Sequence, residues 1–312
     1  MDNKNLINDK IAKDAGFLGS DRRLYYNLEG RLVCETVESF GGMCFLYTNF
    51  FGKLVRYFLN KRFASKLYAL YLNSSFSKNK ILSFIKKYNI DSSEFEENVS
   101  DFKSFNDFFI RKLKSGVRII DTNPNIVVSP ADSKLFVIEN ISKDVEFFVK
   151  NEKFDLVKFL KNEELAKEYE GGLMMMFRLA PYDYHRFHFP FDCVVGKPKI
   201  ISGIFESVHP TVYKSGVQPL LENERHVTLL KSDKFSNVVL VSIGAMFVGK
   251  IIETHQFDKS YKKGDEIGYF EFGGSTIVLL FKFGVVKPKE IFIKNSLNGF
   301  ETQVKFGQTI TE

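Results

Sequence analysis

The sequence predicts an α+β fold: N-terminal helices packed on a largely antiparallel β barrel or sandwich core. Three observations carry that expectation. From Phe40 to Tyr88 apolar residues recur at spacings of three and four. After Asn125 the texture turns to short β-rich apolar runs separated by turn residues. Strands and long helices do not alternate, which argues against a doubly wound parallel sheet.

Taken in order, residues 1–36 are polar and weakly periodic and receive no assigned structure. The first helical set is Phe50, Phe51, Leu54, Val55, Phe58 and Leu59, with Lys53, Arg56, Lys61 and Arg62 beside it. A second carries Phe63, Leu67, Leu70 and Tyr71, and a third Ile81, Leu82, Phe84 and Ile85. Such faces either dock on their own domain or lie in the plane of a membrane, where aromatic bodies and basic flanks suit the headgroup boundary. Asp91-Ser-Ser-Glu94 has the form of a capping box, and Ser104 caps a short helix with a phenylalanine face. Strands are expected at 126–128, 135–138, 145–149, 173–179, 194–201, 205–208, 227–230, 238–243, 247–252, 267–272 and 275–283. A helix is expected over 153–169, stopped by Gly171-Gly172. The division that follows is an N-terminal region, 1–100, and a core domain, 101–312.

Bulk properties narrow the setting. A chain of 312 residues can bury a core without disulfides, and Cys34, Cys44 and Cys193 show no metal or redox spacing. The net charge of +6 suits an anionic membrane surface, and no nucleic-acid motif accompanies it. Met1–Lys10 mixes charges of both signs, so no secretory signal is expected. The longest uncharged windows, about 14 residues, fall short of the roughly 20 that a spanning helix needs.

Three stretches carry chemistry. Phe272-Gly-Gly-Ser-Thr276 joins two apolar strands through adjacent glycines. It reads either as a hairpin turn or as a serine pressed against an unshielded Gly274 carbonyl, the arrangement an internal acyl shift requires. Ser129-Pro-Ala-Asp132 places a carboxylate at a turn between apolar runs. Tyr184-His-Arg-Phe-His188 sets two histidines three apart in an aromatic setting bracketed by Pro181 and Pro190. These imidazoles suit proton transfer at neutral pH or, less well, a metal, for which no further ligand cluster is apparent. His209, His226 and His255 have no comparable context.

Together these strings resemble the phosphatidylserine decarboxylases. The Gly-Ser-Thr site resembles that family's self-cleavage site, and Tyr184–His188 matches its histidine string residue for residue. Ser129–Asp132 resembles its aspartate motif, with Ser133 where glycine is usual. Ser104–Arg111 running on to Arg118, Ser207–Pro210, Glu222–Arg225 and Gly244–Gly249 also look like family strings. Residues 211–221 depart from the pattern and 1–100 match poorly.

The resemblance implies cleavage between Gly274 and Ser275 and a covalent pyruvoyl group made from Ser275. Asp132 would hold His188, the general base, and His185 would support the substrate site; no metal is implied. The implied reaction converts phosphatidylserine to phosphatidylethanolamine and CO₂, with the pyruvoyl ketone condensing with the substrate amine. The two chains would stay associated, a homodimer being left open, at the cytoplasmic side of the cell membrane as a peripheral protein. The order Asp132, His188, Ser275 also fits a serine hydrolase, although no Gly-x-Ser-x-Gly elbow is present. A soluble-amino-acid decarboxylase and a non-catalytic lipid-binding module are the remaining alternatives.

Overall fold

A computed structural model describes residues 22–36, 40–141, 154–246, 250–273 and 275–312. Gly274, the expected strand at 145–149 and the start of the one at 247–252 lie outside the described residues.

The first described element is a hairpin, β1 (Arg22–Tyr26) and β2 (Leu32–Thr36), in a stretch that is polar and weakly periodic. Four helices follow: α1 (Phe40–Thr48), α2 (Phe50–Leu59), α3 (Arg62–Leu72) and α4 (Lys80–Tyr88). Asn49 caps α2 by accepting from the Phe51 and Gly52 amides, and left-handed Asn89 ends α4. α4 turns Ile81 and Phe84 into a cluster with Phe102, Phe105, Phe108 and Phe109. The last three belong to α5 (Phe105–Phe109), capped by the Ser104 hydroxyl.

The strands after Asn125 build the core. β3 is Ser133–Ile138, β4 Leu173–Leu179, β5 Arg186–His188, β6 Cys193–Val195 and β7 Lys199–Ile201. Between β3 and β4 the expected single helix is two, α6 (Leu156–Leu160) and α7 (Glu163–Glu168). Lys161 adopts φ +49° between them and Asn162 caps the second, so one turn ends before the next begins. A short helix α8 (Pro219–Glu222) precedes β8 (Arg225–Ser232) and β9 (Ser236–Ile243). Then come β10 (Ile251–Glu253), β11 (Lys259–Tyr261), β12 (Glu266–Phe270) and β13 (Ser275–Phe281), and finally α9 (Glu290–Leu297) and β14 (Glu301–Val304). Residues 205–208 form no strand, and 126–128 contribute only a bridge from Val128 to Thr309.

The large sheet runs β11-β6-β8-β9-β13-β4-β3-β14-β1-β2, with β7 paired to β8; among the described residues its one parallel pairing is β1 with β14. It stays open, so the core is a sandwich and not a barrel. One face packs Phe177, Leu279 and Leu240 against a second sheet, β10-β12-β5, through Phe187, Ile267 and Phe270. The other packs Met174, Met176 and Val278 against Phe159, Val212 and Tyr47. β13 lies between β4 and β9 with all seven side chains buried. Its continuous apolar run is what a strand covered on both faces requires.

Candidate active site

Ser275 is the first residue of β13, paired with Leu179 across from it. Its side chain is fully buried, and Oγ has no hydrogen-bond partner among the described residues. Gly273, just upstream, has φ +144°, a conformation that glycine tolerates and side chains rarely adopt. A buried hydroxyl left unbonded calls for an explanation, because it forfeits a hydrogen bond that water would supply.

His185 lies beside this strand start. Its ring is fully buried and packs tilted against Phe109, with centroids 4.0 Å apart. Nδ1 is 3.0 Å from the Asp183 carbonyl, which can only accept, so the proton sits on Nδ1 and Nε2 carries a lone pair. Nε2 has no hydrogen-bond partner, and the Gly273 backbone lies close enough to favour the ring's protonated form. Burial dominates nonetheless and holds the imidazole down to about 3, so it is neutral at physiological pH.

His188 is also buried and neutral, held to about 4 by desolvation. Its ring stacks on Phe306 at 3.7 Å, and its Nδ1 is unbonded. Asp132 is tied elsewhere. Arg118 donates to it at 2.7 Å, Lys305 at 3.0 Å and the Phe306 amide at 2.8 Å. Burial alone would raise this carboxyl; Lys305 and Arg118 outweigh it and bring it down to about 2. The direct Asp132–His188 hydrogen bond expected of a relay is therefore not formed. The connection runs through Phe306, whose amide is fixed by Asp132 and whose ring fixes the imidazole plane.

A cavity of about 860 Å³ reaches Leu179 and Gly273 from the helical side. Its walls are mainly apolar, from Leu46 and Val55 to Tyr68, Phe84 and Phe272, and Lys80 and Lys87 also line it. Glu35, Arg178, Tyr182 and His209 contribute polar groups. Arg178 donates to both Glu35 and Glu301, and Lys134 reaches Asp183 at 2.7 Å and Glu35 at 3.9 Å. Glu35 is held far below the carboxylate range, since Arg178 and Lys134 outweigh its burial.

These partners were not singled out from sequence. One signal was available: Arg178 is the single charge in Leu-Met-Met-Met-Phe-Arg-Leu, and a charge inside a doubly covered strand needs partners. His209, in the Ser207–Pro210 string, lines the cavity, whereas His226 and His255 are bonded to Glu253 and the Ile267 carbonyl. Among the described residues no group of three His, Cys, Asp or Glu is placed to hold a metal ion.

A pyruvoyl group derived from Ser275 fits this setting. The serine is buried at a strand start, and the His185 imidazole beside it has an unbonded nitrogen. An antiparallel sandwich whose central strand begins on such a serine, beside neutral histidines and a mainly apolar cavity, is the class of protein that fold and site define. The family model described as phosphatidylserine decarboxylase matches residues 105–312. A phosphatidylserine decarboxylase proenzyme of Fusobacterium nucleatum is 43% identical over 280 residues, covering 89% of this chain and 93% of its own. Proteins of the same name from Chlamydia caviae and Clostridium perfringens are 42% and 38% identical, covering 89% and 88% of this chain and 93% and 95% of theirs. The chain belongs to the phosphatidylserine decarboxylase family.

Proposed function

We propose that this protein is a self-processing decarboxylase that converts phosphatidylserine to phosphatidylethanolamine and CO₂; its relatives carry the name phosphatidylserine decarboxylase proenzyme. The observation that carries this reading is the unbonded, buried Ser275 hydroxyl opening β13, beside the neutral imidazole of His185 and at the end of a mainly apolar cavity.

In the processing step His188 removes the Ser275 Oγ proton, and Oγ attacks the Gly274 carbonyl to form an ester. Elimination then releases the chain ending at Gly274. The dehydroalanine left at position 275 tautomerises to an imine, which water hydrolyses, supplying the ketone oxygen of the pyruvoyl end and releasing ammonia. Asp132 acts on His188 by fixing Phe306, which clamps the ring. Bound to the substrate nitrogen, the pyruvoyl group supplies an electron sink for loss of CO₂. The chain's own residues do the rest. The mainly apolar walls limit water, and the His185 Nε2 lone pair accepts a proton from the incoming ammonium and later returns it to Cα.

The two products of cleavage are expected to stay associated, because β13 is hydrogen-bonded on both sides and β14 lies between β3 and β1. Peripheral binding at the cytoplasmic face of the membrane fits the exposed aromatic surfaces of α2 and α3. Among the described residues no helix is long and apolar enough to cross a membrane. Intact-mass measurement of the purified protein tests the reading. It should show residues 1–274 and residues 275–312, the latter lacking an N-terminal α-amine. A single uncut chain that releases no CO₂ from phosphatidylserine vesicles would refute it.

A further inference from the structure

We propose that Glu35 and Arg178 recognise the zwitterionic amino-acid end of the substrate, the guanidinium taking its carboxylate and Glu35 its ammonium. This deepens the phospholipid-decarboxylase reading and rests on it.

Both side chains line the cavity together with Leu179 and Gly273. Arg178 pairs in register with Thr276, the residue next to Ser275. Its donors are divided between two carboxylates. Glu301 takes Nε and Nη2 at 3.1 and 2.8 Å, while Glu35 takes Nη1 and Nη2 at 3.3 and 2.5 Å. Glu35 lines the cavity and Glu301 does not, so Glu301 braces the guanidinium while Glu35 covers the side a ligand would approach. Glu35 also accepts from the Tyr182 hydroxyl at 3.0 Å.

The Glu35 carboxylate is, in effect, an internal stand-in for a ligand carboxylate. It arrives on β2, an edge strand of the large sheet that pairs, among the described residues, only with β1. An edge strand can shift without breaking the ladder between central strands. An α-amino acid carries the two charges needed for an exchange: its carboxylate replaces Glu35 on the guanidinium fork, and the displaced Glu35 receives its ammonium. The charge inside the site is unchanged by that swap. Once the carboxylate has left as CO₂, the amine product offers Arg178 no anion, and Glu35 can return to the fork. The same pair would thus favour substrate on entry and product on exit.

The test uses full-length Ser275→Ala protein, which cannot cut itself, titrated calorimetrically with glycerophosphoserine, glycerophosphoethanolamine and free L-serine. Glycerophosphoserine should bind at least about tenfold more tightly than glycerophosphoethanolamine, the scale of one charge-assisted contact. Arg178→Met combined with Glu301→Gln, which avoids stranding a second carboxylate, should abolish that preference. Glu35→Gln, the milder change, should weaken glycerophosphoserine binding while thermal unfolding shows a folded chain. A merely structural ion pair would change stability and leave the serine-to-ethanolamine ratio alone. Persistence of the ratio in the Arg178 variant, equal binding of both probes by the parent, or no binding of any probe would overturn the proposal. Equal affinity for L-serine and glycerophosphoserine would keep the pair's role but assign it to a soluble amino acid, which would undercut the lipid reading separately.

Discussion

Lys305 Nζ lies 3.0 Å from Asp132 Oδ2, and cleavage before Ser275 would place these two residues on different chains. The Phe306 amide, also downstream of the cut, donates to Asp132 at 2.8 Å. After such a cut the buried carboxylate would tie the two chains together while keeping the Phe306 ring against His188.

The Asp132 clasp should be visible in the pH dependence of stability. Its folded carboxyl titrates near 2, against 3.8 for the free group. A carboxyl lowered by folding stabilises above the unfolded value and loses that contribution as pH falls through the folded one. The difference amounts to about 2 kcal/mol, lost between roughly pH 4 and pH 2. Urea unfolding of Ser275→Ala and of Asp132→Asn/Ser275→Ala should differ by at least that much at pH 7. The gap should narrow as pH falls through this window; a constant gap would show that Asp132 is not the titrating group.

The two histidines give a prediction about rate. Burial holds His185 to about 3 and His188 to about 4, so either is available as a base well below the usual imidazole range. Self-cleavage of freshly synthesised chain, followed by mass spectrometry, should keep a nearly constant rate from pH 8 to about 5 and fall only toward about 4. His188→Ala should leave the chain whole, while His185→Ala should cleave at least in part and decarboxylate poorly. An acid limb near 6.5, or the opposite behaviour of the two variants, would reassign the base. The Gly273 backbone beside His185 makes that reversal a sharp alternative.

The elements most legible in the sequence were those whose environment is uniform. β4 and β13 were readable over their full length, the latter with two residues too many, because a strand covered on both faces shows as a mainly apolar run. Helices α2 to α4 showed through their three-and-four spacing. The β1–β2 hairpin did not show, since Arg-Arg-Leu-Tyr-Tyr and Leu-Val-Cys-Glu-Thr are short and mixed in polarity. The site divides in the same way. Ser275, His185, His188 and Asp132 stand in local strings. Glu35 and Arg178 are 143 positions apart, and no local pattern joins them. Likewise, nothing near Asp132 indicates that Lys305 and Phe306 will claim its oxygens.

Gly52 offers a test of the helical wall of the cavity. It is the one fully buried residue of α2, and a β-carbon there would run into the Phe45 carbonyl of α1. Phe45, Leu46 and Val55 all line the cavity, so forcing these helices apart should disturb it. Gly52→Ala should destabilise the fold by about 1–3 kcal/mol, as overpacking does elsewhere, despite the better helix propensity of alanine. It should raise KM for phosphatidylserine vesicles more than it slows self-cleavage. Unchanged stability and KM would mean that α1 and α2 can separate freely.

The membrane prediction rests on side chains left in solvent. Phe50, Phe51, Phe58 and Phe63 are 78%, 69%, 63% and 71% exposed, and Leu67 and Leu70 lie beyond them on α3. Lys53 on α2, Lys61 at the start of α3 and Lys66 on α3 are exposed as well. Arg56 and Arg62 belong to a different group. Arg56 lies over the Tyr47 ring and 3.7 Å from buried Glu206, and Arg62 pairs with Glu224, so changing either would loosen the helices from the core. The informative variant is therefore Lys53→Glu, Lys61→Glu and Lys66→Glu together. Near an anionic leaflet each basic side chain adds about 1 kcal/mol, so three reversals should cut co-sedimentation with phosphatidylserine vesicles more than tenfold at low salt. Raised salt should narrow the difference by screening, leaving the binding due to the phenylalanines. Replacing Phe50, Phe51 and Phe63 with serine should remove that remainder at every salt concentration, with self-cleavage intact. If both variants sediment like the parent, α2 and α3 are not the membrane contact, and their exposed faces must be covered by something other than lipid.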